Sequence, residues 1–129
     1  MALQFVRETP AAHAITAFDG ATFRIGERSF SHPISISHLV APARWLAAEP
    51  LDDQSLAVGC RLESDIVIIG TGDRQTFPAA SALRPLVEAG IGFEVMHTRA
   101  ACRTFNILLS EGRRVGALLF VSTMTAEPR

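Results

Sequence analysis

The sequence contains no lysine and no tyrosine. Without lysine there is no phosphate-loop lysine, no Schiff base and no lysine general base. Without tyrosine there is no phenolic acid. All twelve cationic side chains are arginine, which does not deprotonate and so anchors rather than abstracts. Cysteine is scarce: Cys60 and Cys102 are the two, too few for a disulfide framework or a zinc motif. The histidines, His13, His32, His38 and His97, show no zinc-ligand spacing, and no pair of carboxylates stands out, so neither a metal nor another cofactor is expected. Long apolar runs are missing too. The longest, Val115 to Val121, falls far short of the ~20 residues a spanning helix needs, so no membrane insertion is expected. The stretch from Met1 to Pro10 lacks the basic region and apolar core of a secretory signal. Glu8 argues against a transit peptide. The expected compartment is the cytoplasm.

What is present suits one domain. The chain has 129 residues, 48% of them apolar, and a net charge of −1. That length matches a single core, and that charge supplies no field for nucleic acid. Residues 1–12 lack periodicity and read as a loose arm, and 122–129 as a tail. The domain is expected over 13–121.

From His13 to Ser37 the pattern is β. Asp19-Gly20 marks a turn between Ile15–Ala17 and Thr22–Ile25, and Gly26-Glu27 marks another. Phe30, Ile34 and Ile36 continue a period of two, with Pro33 suggesting an edge or a bulge. Pro42 to Ala48 reads as a short helix or irregular cover anchored by Trp45. Asp52 or Asp53 caps a short helix over Gln54 to Cys60. Asp65 to Ile69 is a continuous β-branched run, the pattern of a central strand buried on both faces. A helix follows Pro78, with Pro85 demanding a bend or a late start near Ser81. Ile91 to Met96 is a strand, Arg99 to Ser110 a helix capped by Thr98, and Val115 to Val121 a last strand. The expected fold is a compact three-layer α/β domain. It has a mixed, mostly parallel sheet built on a βαβαβ unit at about residues 65–121, plus a β-hairpin layer at about 13–38.

Two segments carry the chemistry on offer. Gly70, Thr71, Gly72, Asp73 and Arg74 leave a buried strand at its carboxyl end, where such sheets bind ligands. Glycine amides, the Thr71 hydroxyl and the Arg74 fork suit an anion, yet the spacing matches neither the dinucleotide nor the phosphate-loop pattern. The plain alternative is a tight strand exit. Cys102 lies near a helix start between Arg99 and Arg103, with His97 as a possible base. That setting activates a thiol toward nucleophilic or oxidant chemistry. The plain alternative is a core cysteine. Arg99, Arg103, Asn106 and Ser110 form a polar stripe. Asn106, if turned inward, is expected to order the Gly70–Arg74 loop.

The ordered set of Gly70-Thr71-Gly72-Asp73-Arg74, Gly90-Ile91, Glu94-Val95, Thr98, Ala101-Cys102, Thr104-Phe105-Asn106 and Glu111-Gly112-Arg113 resembles domain-of-unknown-function family 498, over about residues 13–120. The resemblance implies a three-layer α/β domain without an established catalytic activity, and a eukaryotic member that is a non-enzymatic assembly factor for a respiratory complex. The first expectation is therefore a binding or assembly module with a protein partner or a second copy of the chain. The alternative is an anion-binding protein or small enzyme using the Gly70–Arg74 loop with Cys102 and Arg103.

Overall fold

Between His13 and Ser37 the alternation of apolar and polar residues is realised as strands, but in two different sheets. A computed structural model describes residues 10–121. The expected arm and tail therefore lie outside the described residues, apart from Pro10–His13, which forms a 3-10 turn. β1 (Ile15–Phe18), β2 (Phe23–Ile25) and β3 (Arg28–Phe30) make an antiparallel meander. The Asp19 carboxylate accepts the Ala21 and Thr22 amides at 2.9 and 2.8 Å, closing the first turn where the Asp-Gly signal places it. Ile25 and Arg28 face each other across the second.

The remaining elements are β4 (Ile34–Ser37), β5 (Ala43–Arg44), α1 (Asp53–Ala57), β6 (Ile66–Gly70), α2 (Ala80–Glu88), β7 (Gly92–Met96), α3 (Thr98–Ser110) and β8 (Val115–Leu119). β4 leaves the hairpin layer and joins a five-stranded sheet of order β5-β4-β8-β6-β7. It is an interior strand, buried at every position. Pro33 stands just ahead of it and needs no amide there, while its carbonyl accepts the Trp45 amide at 2.9 Å. A period of two cannot say which sheet a strand joins, which is why the hairpin layer ends at β3 rather than near residue 38.

β6 lies between β7 and β8 and is parallel to both. β4 runs against β8, and β5 against β4, so every strand but β4 shares one direction. The β-branched run is central, as its composition demands, with Val67, Ile68 and Ile69 fully buried. Alternate side chains feed two cores. Ile34, Ile36, Ile68, Val115, Ala117 and Leu119 pack with α3 and the meander. Val67, Ile69, Val95 and Leu118 pack with Leu56 of α1, with Ala82, Leu83 and Leu86 of α2, and with Trp45. The three layers are thus α1 with α2, the sheet, and α3 with the meander.

The local signals explain the ends. The Asp52 carboxylate caps α1 by accepting from the Ser55 amide at 2.9 Å and hydroxyl at 2.7 Å. α1 tightens into a 3-10 turn over Val58–Arg61. Trp45 lies in an irregular cover after β5, its indole N–H donating to the Ser55 carbonyl at 2.9 Å. α2 starts at Ala80, one residue ahead of the expected Ser81, and carries Pro85 inside it.

Candidate functional site at the carboxyl end of the sheet

β6 ends on Gly70, and the chain must then turn beneath the start of α3. A Cβ on Gly70 meets Leu119 Cδ2, Thr98 Cα and Thr98 Oγ1, each at 3.0 Å. Close packing, rather than a ligand, therefore demands this glycine. Gly72 has φ +95°, a region glycine enters without strain. Its amide donates to Thr98 Oγ1 at 2.8 Å, and its carbonyl accepts the Thr98 amide at 2.8 Å. The Thr71 amide donates to the Met96 carbonyl at 2.9 Å. The Thr71 hydroxyl donates to the Arg74 carbonyl and accepts the Thr76 amide at 3.0 Å. Gln75 Nε2 reaches the Val95 carbonyl at 2.8 Å. The Thr71, Gly72 and Thr76 amides are thus spent inside the fold, and the loop is knitted to β7 and α3.

This knitting changes the start of α3. Thr98, the expected cap, is the first helical residue, because its hydroxyl serves Gly72. His97 caps instead, its Nδ1 accepting the Ala100 amide at 3.2 Å. Asn106 does not reach the loop. Its amide group clamps the backbone of Ile15, Oδ1 accepting the Ile15 amide at 2.9 Å and Nδ2 donating to the Ile15 carbonyl at 2.8 Å. Arg99 Nη1 donates to the Phe18 carbonyl at 2.9 Å, with its guanidinium 5.5 Å from the Phe18 ring centre. Much of the polar stripe of α3 therefore holds the outer edge of β1, since the meander packs on that side.

Cys102 is 6% exposed. Burial pushes its thiol up from 9.0 to about 12, against the opposing pull of Arg99 and Arg103. The charged form is disfavoured by desolvation, so the residue is a poor nucleophile. Its proposed base, His97, is committed to the helix cap. Cys60 is exposed and also free.

The residues singled out from sequence are divided among three hollows. Thr71 lines a cleft of about 340 Å³ with Leu51, Thr76, Phe77, Pro78 and Phe120. Gly72 and Asp73 line a crevice of about 140 Å³ with Phe18, His97 and Arg99. Cys102, Arg103 and Asn106 line a groove of about 320 Å³ along β1. Gly70 and Arg74 line none of the three, and no one of these hollows joins the glycine loop to Cys102 and Arg103.

The first cleft has a topological position the others lack. The chain steps from β6 outward to β7, then back past β6 to β8, so α2 and α3 lie on opposite faces. Where such connections part, the carboxyl ends of the two inner strands border the crevice used for ligands in open α/β sheets. Those strands are β6 and β8, and the cleft is lined by Thr71 just after one and Phe120 just after the other. Phe77, 64% exposed, forms its rim. Sequence reasoning missed Phe77, Phe120 and Leu51. One signal was available: Phe77 is the only large apolar residue between Gly70 and Leu83, alone in a polar loop. Among the described residues no three His, Cys, Asp or Glu side chains cluster as metal ligands do. No described helix is long and apolar enough to cross a membrane.

The pattern of the family described as "Protein of unknown function (DUF498/DUF598)" matches residues 15–120. The chain belongs to this family. Among curated DUF498 relatives, bovine NADH dehydrogenase (ubiquinone) 1 alpha subcomplex assembly factor 3 is 34% identical over 116 residues. The match covers 88% of this chain but 63% of that protein, so the chain spans under two-thirds of the relative's length. A crystal structure of a Bordetella parapertussis protein superposes with a TM-score of 0.79 at 32% identity, covering 87% of this chain and 98% of the other. A Bordetella pertussis protein described as a Mth938-like domain gives a TM-score of 0.76 at 25% identity, covering 92% and 94%. The fold described above is therefore shared with solved proteins over 87% and 92% of this chain.

Proposed function

We propose that this DUF498 chain is a non-enzymatic, assembly-factor-like module that holds a protein partner in the cleft between the ends of β6 and β8. The carrying observation is the make-up of that cleft. Leu51, Phe77, Pro78 and Phe120 wall it, Phe77 stands largely exposed at its rim, and the amides of Thr71 and Thr76 beside it are already bonded. A mostly apolar seat whose loop amides are bonded, and whose one charged lining residue is the acidic Glu49, suits an apolar anchor of a partner better than an anion. The curated relative's name, an assembly factor, supports the same class of role. A net charge of −1 gives no support to nucleic acid as the partner. The exposed free thiol of Cys60 supports a reducing compartment, the cytoplasm.

The test compares the full chain with Phe77→Asp. Both are tagged, purified from native cells and analysed for co-purifying protein in stoichiometric amount. The expected result is one such protein with the parent and a loss of roughly tenfold in the variant, with both circular dichroism spectra alike. Equal recovery from both sinks the proposal. Sedimentation of the purified chains tells whether the partner is a second copy. The reading in which Gly70–Arg74 works with Cys102 and Arg103 on a small ligand draws less support, because the Thr71 and Gly72 amides are spent and the thiol is buried. A thermal-shift panel of nucleotides, phosphates and carboxylates reads it directly.

A further inference from the structure

The face of the sheet that carries α1 and α2 is incompletely covered. The two helices pack over β6 and β7, and beyond them β4 and β5 are roofed only by the Val58–Arg61 turn and the cover around Trp45. A groove of about 360 Å³ remains there. Ser35 of β4 lies in it, 5% exposed. β4 presents two serines to this face. Ser37 is occupied: its hydroxyl accepts the Leu39 and Val40 amides at 3.1 and 2.8 Å. Ser35 is not: among the described residues its hydroxyl makes no hydrogen bond. The Ser35 hydroxyl is not one of the enclosed, unpartnered polar atoms, which among the described residues are His38 Nδ1 and Ser64 Oγ; it opens on the groove, and a hydroxyl left available there calls for an explanation.

The surroundings supply one. Val40, Val58 and Leu62 line the groove, and Leu46, 80% exposed, stands at its rim. Leu46 is the most exposed of the large apolar side chains among the described residues. The groove is lined by Arg61, exposed at the end of the 3-10 turn and in no ion pair or hydrogen bond among the described residues. Arg44 also borders the groove, but it pairs in register with Ile34, whose side chain packs on the opposite face. Paired residues on adjacent strands point to the same side, so Arg44 is aimed away. The groove thus joins one guanidinium, one idle hydroxyl and a wall of aliphatic side chains, at a volume typical of small-molecule sites.

We infer that this groove binds an apolar-tailed carboxylate of the medium-chain fatty-acid class, its head held by Arg61 and the Ser35 hydroxyl and its tail lying on Val40, Val58 and Leu46. The guanidinium fork matches a carboxylate, and Ser35 donates the hydrogen bond it lacks in the free protein. The inference is independent of the partner cleft, which lies at the other end of the same face.

The experiment is a backbone-amide NMR titration of the full chain with sodium octanoate, with octanol and acetate as neutral-head and tailless controls. Shifts are expected to centre on Ser35, Ala43, Leu46 and Val58. Affinity is expected to rise about fourfold per methylene from hexanoate to decanoate, and to fall about tenfold for octanol or for Arg61→Gln. Ser35→Ala is expected to weaken octanoate without lowering thermal stability, because the hydroxyl makes no bond to the described residues. Arg44→Gln is expected to leave affinity unchanged. Equal binding of octanol and octanoate, indifference to Arg61→Gln, or shifts centred on Phe77 overturns the assignment. The amide spectrum of each variant shows that it is folded.

Discussion

The loop after β6 and the exposed face of β4 both carry polar groups beside a hollow, and they use them in opposite ways. In the loop, Thr71, Gly72 and Thr76 turn their donors inward to β7, to Thr98 and to one another. On β4, Ser35 and its neighbour Arg61 are left without partners. The glycine-rich loop looks like a ligand site in sequence because it has the right residue types. Gly70, Thr71 and Gly72 are consumed in making the turn itself. The groove beside β4 looks like nothing in sequence, yet it keeps its chemistry uncommitted. Residue type proposes a site; the hydrogen-bond account of the folded chain decides which polar groups remain on offer.

The contrast can be broken most severely at Gly70. Gly70→Val forces methyl groups against Leu119 and the Thr98 backbone, where even a Cβ sits at 3.0 Å. A loss of about 3 kcal/mol is expected, measured by the denaturant midpoint. A loop built for a ligand, with room around the glycine, would tolerate it. Next comes Asn106→Ala, which strips both bonds from the Ile15 backbone. The expected cost is about 2 kcal/mol, with amide exchange accelerated along β1 and unchanged in the Gly70–Arg74 loop. Acceleration in that loop instead would restore the role expected for Asn106 from sequence.

Smaller effects sharpen the picture through pH. The Cys102 thiol is raised from 9.0 to about 12. Its neutral form is the one the fold favours, so the associated stability is complete below about pH 9 and is lost as pH climbs toward 12. Iodoacetamide at pH 8 is therefore expected to label Cys60 and spare Cys102 until the chain is unfolded, with peptide mass spectrometry as the readout. Prompt labelling of Cys102 would reopen its candidacy. Smallest is Asp52, whose carboxyl is held below 3.8 chiefly by the Ser55 hydroxyl and then by the Ser55 amide. A lowered carboxyl stabilises above its unfolded value and stops doing so as pH falls through the folded one. Asp52→Asn is expected to lose stability near neutrality and to show a shallower decline below pH 4, followed by circular dichroism.

Much of this fold is legible in the sequence, and for identifiable reasons. The β-branched run of β6 can be satisfied only between two covered faces. Asp19-Gly20 and Asp52 act through bonds to residues two or three places away, so local reading finds them. The family resemblance rests on residues spread over the same span that the family pattern matches, 15–120. What escapes is long-range pairing. Asn106 and Ile15 are 91 positions apart, and nothing in the helix pattern says that its polar stripe meets a strand edge. β4 carries the same alternation as the meander, so its transfer to the larger sheet is invisible until β8 is seen to pair with it. Thr98 satisfies the rule for a cap and is overruled by Gly70, whose closeness lets the hydroxyl serve Gly72. The candidate cleft was half legible: the carboxyl end of β6, singled out from sequence, borders it, but Phe120 and Leu51 arrive there from other parts of the chain.

The strand order has a bearing on how the protein is made. Among the described residues β8 is the last strand in sequence and the third across the sheet, joining the β4–β5 hairpin on one side to the β6–β7 pair on the other. As the chain leaves the ribosome, these two halves emerge first and have no direct ladder between them. They stay separate pieces, with their apolar edges uncovered, until Val115 to Leu119 is released. The last described strand is thus the keystone, and a message cut short before Val115 encodes two fragments of a sheet rather than a smaller version of it.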